Sequence, residues 1–599
     1  MKNSLISLFI FSVTLTVVLT LSGCKGCKNS NAEKIENSIV VPKDDKEFLD
    51  NLSAVLSESI PKLVNDKIDS SKNEGWHNLI KAYYDENNYK PLWVSRDVLN
   101  QKGKEMYDFV SHAEFLGLNK DLYDFETTKK IYDSLNSIRP NIDFHLSKEL
   151  ELQLTRSFYQ MALHLDKGMF LDTTKGLNFN FWGLNKKYND LLSKAQSDSI
   201  PKVLAVLEPD NPMYNRFMDA LRSFVSQNNI SGEIIHIRDP KFDSIGSVYD
   251  TKKALVYHHY LEDSLRQNDS AFRQALKHFQ KDNNLKADGT IGGNTIKALE
   301  RDNSKKFYLM AINADRWRKE KILELPEKYV WVNLPSFKLK IIENDTLRLE
   351  KNVVIGKNNA KNKTPILESK INEIVLWPTW SVPQDIVKNE MKSFKGYTVT
   401  KKGNWTQVVQ PPGYRNALGT VKILFPNRYS VYIHDTPTKG LFGSDVRAAS
   451  HGCVRCQDPL EVAANLMQMD TFQITYDSLK AIRDKRIATR TFRLKKGIPV
   501  YFRYFTAEAD FNGNMKFYAD IYGRDKDMID FIFRDRKVWI PTTAERRWMD
   551  SIAVANKIKA DSIAKANKLK QIKADSIAKA KLQTAVIDSA RERKDSVFQ

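Results

Sequence analysis

A cysteine stands at position 453 in the run Arg447-Ala448-Ala449-Ser450-His451-Gly452-Cys453-Val454-Arg455-Cys456, with His434 nineteen residues before it. A cysteine on a turn, with an imidazole in reach, is what nucleophilic catalysis needs. A free thiol of pKa near 8.5 is only about 3% thiolate at pH 7, so an adjacent base raises the reactive fraction. Two histidines compete for that role. His451 is two residues from Cys453, a spacing that turns its side chain away from a direct hydrogen bond. His434 is distant in sequence and free to approach across the fold, which puts it ahead without excluding His451.

Cys456 turns the segment into a Cys-x-x-Cys, which reads cold as a metal or redox motif. Zinc would need two further ligands, and no second cysteine pair with zinc spacing lies nearby, so the expectation is no metal and no cofactor. In an oxidising compartment a Cys453–Cys456 disulfide would consume the nucleophile. The alternative is that Cys456 fills an aliphatic slot facing the core. The helix start just beyond it favours that second reading.

Periodicity predicts the elements that must hold these groups. A strand ends at His434, and a loop with Gly440 and Gly443 follows. Asp458-Pro459-Leu460-Glu461 then predicts a helix, with Asp458 as N-cap, Pro459 at the first helical position and Glu461 closing a capping box. Period-two runs at 329–334, 339–342, 351–356, 375–377, 421–425 and 430–433 predict a mostly β domain over 326–545. Residues 306–325 read as a linker helix carrying Asn313, Arg316, Trp317 and Arg318.

Residues 251–305 read as a small helix–loop–helix module. Phe272, Ala275, Leu276 and Phe279 recur at helical spacing, and Asp288-Gly289-Thr290-Ile291-Gly292 is a tight-turn signal. Residues 71–250 read as a helical scaffold. Its aromatic cluster of Tyr83, Tyr84, Tyr89, Leu92 and Trp93 is expected to be core packing, and Gly117 to be a helix stop.

Ser450-His451-Gly452-Cys453-Val454-Arg455 with the upstream His434 resembles the signature of the L,D-transpeptidases with a YkuD-type catalytic domain. Trp377-Pro378-x-Trp380, Pro411-Pro412-Gly413, Asn416-Ala417-Leu418-Gly419, Phe425-Pro426-Asn427 and Ile433-His434-Asp435-Thr436-Pro437 extend the likeness. Ala275-x-x-x-Phe279-Gln280, Asp288-Gly289-x-x-Gly292 and Thr295-x-x-x-Leu299 resemble a peptidoglycan-binding repeat. Together, over 75–530, the pattern is similar to the large YcbB-like murein L,D-transpeptidases.

The resemblance implies a multidomain chain: an α-helical scaffold region, a small helical peptidoglycan-binding-like module, a mostly-β L,D-transpeptidase catalytic domain, and a helical or disordered C-terminal tail. It implies Cys453 as nucleophile and His434 as proton donor and acceptor. An oxyanion hole at Gly452 and Cys453 sits on a turn shaped by His451 and Ser450. Arg455, Trp380 and Tyr432 would contact substrate, beneath a flap at 384–412. Cys453 would attack the third-residue carbonyl of a tetrapeptide stem, release D-alanine and pass the acyl group to a side-chain amine of a second stem, a 3→3 cross-link. Water or a protein amine are alternative acceptors, and a non-catalytic peptidoglycan-binding lipoprotein is the alternative from another class.

Lys2, an apolar run over 5–21 and Leu21-Ser22-Gly23-Cys24 read as a secretory signal, and the ending resembles a bacterial lipobox. That implies a signal peptide at 1–24, lipid on the Cys24 thiol and a periplasm-facing lipoprotein of the outer membrane. A plain membrane anchor is the alternative. Residues 25–70 then read as a polar tether and short helix. The basic tail at 546–599 repeats Ala560-Asp561-Ser562-Ile563-Ala564-Lys565-Ala566 fourteen residues on, which suggests self-association along a helix face.

Across 599 residues the net charge is +20, yet it is spread along the chain with no nucleic-acid module, so the expected partners are stem peptides, glycan strands and a membrane, and not nucleic acid. Four cysteines are too few for a disulfide scaffold. No internal apolar stretch reaches about 18 residues, which excludes a multi-span membrane protein.

Overall fold

The computed structural model describes residues 35–36, 39–65, 74–170, 181–230, 235–283, 285–322, 324–403 and 405–533. The expected signal segment with Cys24 and the tail at 546–599 lie outside the described residues, and the expected tether at 25–70 is described only in part.

The chain divides into two compact units, one of 1–103 with 128–153 and one of 104–127 with 154–599. Helices dominate as far as residue 257: α1 (Asp45–Asn65), α2 (Glu74–Glu86), α3 (Gln101–Ser111), α4 (Phe125–Ser137), α5 (Phe144–Lys167), α6 (Phe181–Ala195), α7 (Ile200–Ala205), α8 (Pro212–Gln227) and α9 (Ser244–Tyr257). In the first unit, α1 runs for 21 residues, longer than the short helix expected there. Phe48, Leu52, Val55, Leu56 and Ile60 explain it, because they recur at helical spacing and all are buried. Tyr83, Tyr84, Leu92 and Trp93 are core residues, as the aromatic cluster suggested, while Tyr89 is half-buried. The Glu151 carboxylate anchors that cluster by accepting the Tyr84 hydroxyl at 2.6 Å and the Trp93 and Val94 N–H groups at 3.0 Å.

In the second unit, α9, α10 (Asp269–Asp282) and α11 (Gly293–Leu299) close the small module around Leu255, Leu276, Phe279 and Leu299. Buried Gln280 ties its loop. Its amide donates to the Thr290 carbonyl at 2.9 Å and accepts the Gly289 N–H at 2.8 Å. The glutamine therefore holds the loop's own backbone rather than facing a groove.

The linker helix is α12 (Asn303–Glu320). Asn313 exchanges hydrogen bonds with Thr506, Arg316 pairs with Asp525 at 2.7 Å, and Trp317 stacks on Trp331. Arg318 pairs with Glu208 at 2.6 Å.

The strands that follow α12 are β1 (Lys328–Asn333), β2 (Lys338–Glu343), β3 (Thr346–Gly356), β4 (Leu367–Leu376), β5 (Trp380–Ser381), β6 (Thr398–Lys402), β7 (Trp405–Gln410), β8 (Val421–Leu424), β9 (Ile433–His434), β10 (Ala448–Ser450), β11 (Val454–Cys456), β12 (Arg490–Arg503), β13 (Ala507–Ala509) and β14 (Met515–Phe517). Nine of them form one sheet in the order β10-β3-β11-β9-β8-β4-β12-β1-β2. The long strand β3 also pairs with β2, so the sheet closes on itself and hides most of its edges. Three helices accompany these strands: α13 (Gln384–Asn389), α14 (Pro459–Asp470) and α15 (Tyr476–Lys485), with α16 (Lys526–Phe533) at the end of the described chain. Helix α14 is apolar almost all round and packs on β8 and β12, burying Leu460, Val462, Leu466 and Met467. Each such side chain contributes about 1.5–3 kcal/mol by leaving water.

The start of α14 departs from the expected capping box. Asp458 adopts a left-handed conformation (φ +46°) and its side chain makes no cap bond. That conformation turns the chain sharply out of β11. The Glu461 carboxylate goes instead to Lys351 at 2.6 Å.

Candidate active site

Three adjacent strands build the site. Strand β9 pairs with β8 antiparallel and with β11 parallel, which puts Lys422, His434 and Arg455 side by side in one row across the sheet. The next row, Ile423, Ile433 and Val454, is fully buried in the core. Side chains alternate between the two faces of a strand, so the whole row of charged and titratable groups shares the face away from the core. Tyr432 lies two residues before His434, and Cys453 two before Arg455, and both continue that face. The Tyr432 and His434 rings meet edge to face at 5.5 Å.

Cys456 follows the opposite alternation. It sits in the core beside Val454 and pairs in register with Val353. Cys453 and Cys456 are both free thiols. Among the described residues no group of three or more His, Cys, Asp or Glu side chains could hold a metal ion.

The turn carrying the nucleophile is tightly specified. Ser450 Oγ donates to the Cys453 carbonyl at 2.6 Å and accepts the Gly452 N–H at 3.2 Å. Gly452 has φ +114°, a conformation open to glycine and strained for other residues. Its carbonyl accepts the Thr364 hydroxyl at 2.8 Å. The Gly452 N–H is thus already engaged, whereas the Cys453 N–H has no partner among the described residues. His451 turns away from the sulfur, and its Nε2 meets the Glu390 carboxylate at 3.0 Å.

His434 is buried, and its Nδ1 lies 2.5 Å from the Asp435 carbonyl. A carbonyl only accepts, so Nδ1 carries the proton and Nε2 keeps its lone pair. Burial, seconded by the Arg455 charge, holds the imidazole down to about 3. Asp435 fixes the end of the strand. Its carboxylate accepts the Thr420 N–H and hydroxyl at 2.9 and 3.0 Å and the Thr436 N–H at 2.7 Å. Gly419, at φ +60°, is the residue that admits it, because a Cβ there would lie 2.4 Å from the Asp435 carboxylate.

Cys453 is half-buried, and burial pushes its thiol up. Hydrogen bonds from Tyr432 and the charges of Lys422 and Arg455 work the other way without overcoming burial. A raised thiol beside a depressed imidazole is a neutral pair at rest. Neither Lys422 nor Arg455 makes an ion pair among the described residues. The Arg455 Nε is buried and unbonded, and the Lys422 amine lies 4.1 Å over the Tyr432 ring.

Trp380 is half-buried at the root of a separate three-stranded sheet, β6-β7-β5, where it pairs with Gln410. Strands β6 and β7 with α13 make up the segment expected as a flap at 384–412, and Glu390, just past α13, is its link to His451. Lys422, Asp435, Thr364 and Glu390 were given no role from sequence. The signal for Lys422 was available, since it is a lone cation between the buried Val421 and Ile423 of a strand.

Residues 327–474 match the family model of the YkuD L,D-transpeptidase catalytic domain. Residues 78–221 match a model described as "Scaffold domain", and residues 246–299 one described as "Putative peptidoglycan binding domain". A Haemophilus influenzae protein named "Putative L,D-transpeptidase" is 29% identical over 247 residues, 37% of this chain and 48% of that protein. The chain thus spans about half the length of that curated relative. Among solved structures, a Stackebrandtia nassauensis L,D-transpeptidase is 18% identical, covering 43% of this chain and 89% of its own, with a TM-score of 0.19. The ertapenem-acylated catalytic domain of an Enterococcus faecium L,D-transpeptidase is 16% identical, covering 30% and 98%, with a TM-score of 0.16. Both scores are under 0.5, so the fold stands on its own strand order. The chain carries a YkuD L,D-transpeptidase catalytic domain together with a peptidoglycan-binding-type module.

Proposed function

We propose that the protein is a peptidoglycan L,D-transpeptidase that works through a cysteine thioester. Cys453 attacks the third-residue carbonyl of a tetrapeptide stem, with its proton passing to His434 Nε2. D-Alanine leaves with a proton on its amine. The side-chain amine of a second stem then attacks the thioester, giving a 3→3 cross-link and returning the thiol. The Cys453 N–H serves as an oxyanion donor, an effect worth about 3–4 kcal/mol in comparable sites. Arg455 and Lys422 offer positive charge to a carboxylate of the donor stem, with Tyr432 and Trp380 as its walls.

The observation that carries this reading is the shared face of Cys453 and His434, with the imidazole lone pair unspent. Incubating the protein with purified disaccharide-tetrapeptide and analysing the products by mass spectrometry tests it. The expected products are free D-alanine and a 3→3 dimer. Hydrolysis to tripeptide alone would make water the acceptor, and an unchanged substrate would overturn the reading.

Anchoring through a lipidated Cys24 at the outer membrane, facing the periplasm, belongs to the same proposal. Intact-mass analysis of the native protein against Cys24→Ala tests it, and equal masses for the processed forms would remove it.

A further inference from the structure

Between the small helical module and the closed sheet lies a cleft of about 550 Å³. From the module it is lined by Asn294, Lys297 and Arg301, and from the catalytic domain by Phe337, Asp445 and Tyr518, among others. That volume is in the range of pockets that take small ligands. A second hollow of about 500 Å³ shares Leu285, Asp445 and Tyr518 with it, so the two form one furrow.

Arg301 is the unusual residue of the cleft. Its Nη1 is buried and has no hydrogen-bond partner. Burial pulls the guanidinium down to about 10, opposed only by the charge of Asp525, and that carboxylate is already paired with Arg316 at 2.7 Å. Even so, Arg301 stays cationic at neutral pH. A buried guanidinium N–H left without an acceptor is costly unless something completes it.

The two acidic side chains of the lining do not complete it. Asp445 accepts the Lys286 N–H at 2.5 Å. Asp520 takes the Tyr504 hydroxyl at 2.5 Å and the Arg524 and Asp525 N–H groups at 2.9 and 2.8 Å. Lys297, at the exposed rim, makes no ion pair among the described residues. The cleft therefore offers an unpaired guanidinium N–H and a second cation at its mouth, a planar fork matched to a carboxylate. Ala448 also lines it, and β10 runs from that residue straight into Ser450 and the nucleophile turn.

We propose that this cleft is a second peptidoglycan site, distinct from the donor site, which holds a stem peptide by bonding one of its free carboxylates to Arg301. The choice of a stem peptide as ligand rests on the transpeptidase reading, whereas the carboxylate specificity rests on the cleft alone.

Binding of disaccharide-tetrapeptide to the full chain carrying Cys453→Ala, which prevents turnover, is followed by calorimetry. Arg301→Met should weaken binding at one of two sites about tenfold or more. Esterifying the peptide's carboxylates should abolish binding at that same site. Lys297→Glu should weaken it by a smaller factor. Unchanged affinity in a folded Arg301→Met protein, or equal binding of the ester, overturns the proposal. If circular dichroism shows Arg301→Met unfolded, Lys297→Glu decides: weaker binding supports the site and equal binding removes it. D-Alanine release by the Cys453 protein is measured in parallel. Release together with an Arg301-independent affinity sinks the cleft and leaves the transpeptidase, and the converse result sinks the transpeptidase alone.

Discussion

The His434 imidazole donates its Nδ1 proton to the carbonyl of the next residue, Asp435, at 2.5 Å. That bond fixes the tautomer and aims the unprotonated nitrogen at the face that Cys453 shares. With the imidazole held at about 3 and the thiol pushed up, the resting pair is uncharged. D-Alanine release should therefore climb on the alkaline side and show no acid limb from His434 until about pH 3. His434→Gln should slow release by roughly 10²–10⁴-fold, the usual range for a lost general base, with the melting temperature nearly kept. A near-native rate in that variant would reassign the base.

Asp435 is a positioning residue. Asp435→Ala leaves the Thr420 and Thr436 N–H groups without their acceptor. The expected cost is about 1–3 kcal/mol of stability, with D-alanine release falling as the end of β9 loosens. Asp435→Asn keeps an acceptor oxygen and should lie between the two in urea unfolding.

The Glu390–His451 contact joins the flap segment to the nucleophile turn across a half-exposed pair. Such pairs are worth about 0–1 kcal/mol, so Glu390→Gln should change KM by less than about fivefold and kcat hardly at all. The difference should shrink as salt is added. A large fall in kcat would mean that His451 takes part in the chemistry.

Three histidines are held far below their ordinary range by burial: His164, His258 and His434, each at about 3. In the unfolded chain they titrate near 6.5. Their contribution is whole above that value and is lost as pH falls toward 3, where the unfolded state binds more protons. Each lowers stability by up to about 1.4 kcal/mol per pH unit in that window. Calorimetry should show the melting temperature dropping below about pH 6.5. His164→Gln, which can still meet the Tyr123 hydroxyl, should flatten the drop.

Cys456 packs on the core side of β11 while Cys453 lies on the other. Burial also pushes the Cys456 thiol up, out of the reactive range. Mild oxidant should therefore produce no two-hydrogen mass loss between them. Cys456→Val should keep activity and cost less than about 1.5 kcal/mol. Reversible inactivation that disappears in Cys456→Val would contradict the geometry.

Much of this was legible in the chain. The apolar β-rich runs at 329–334 and 339–342 mark β1 and β2, which are buried on both faces, and alternation at 421–425 marks β8, whose side chains are buried in turn. The Arg490–Arg503 strand was not foreseen. Its arginines and lysines break the alternation, and its place between β4 and β1 depends on partners more than a hundred residues away. The Asp458 cap failed for a local reason. The chain needed a left-handed residue to leave β11, and that conformation overrode the side-chain cap. Lys422 was read as a strand residue only, since its place beside His434 exists only once β8 and β9 pair.

The parallel pairing of β9 with β11 has an evolutionary corollary. Because the ladder fixes how close His434 and Cys453 come, the exposed loop that starts at 437, between Asp435 and β10, is freer to drift in length. Residues 437–440 of it are exposed, and Gly440 and Gly443 border open space. Two relatives can thus differ by many residues in this interval and still share one active site, so kinship is better judged by which strand ends lie abreast than by counting residues from histidine to cysteine.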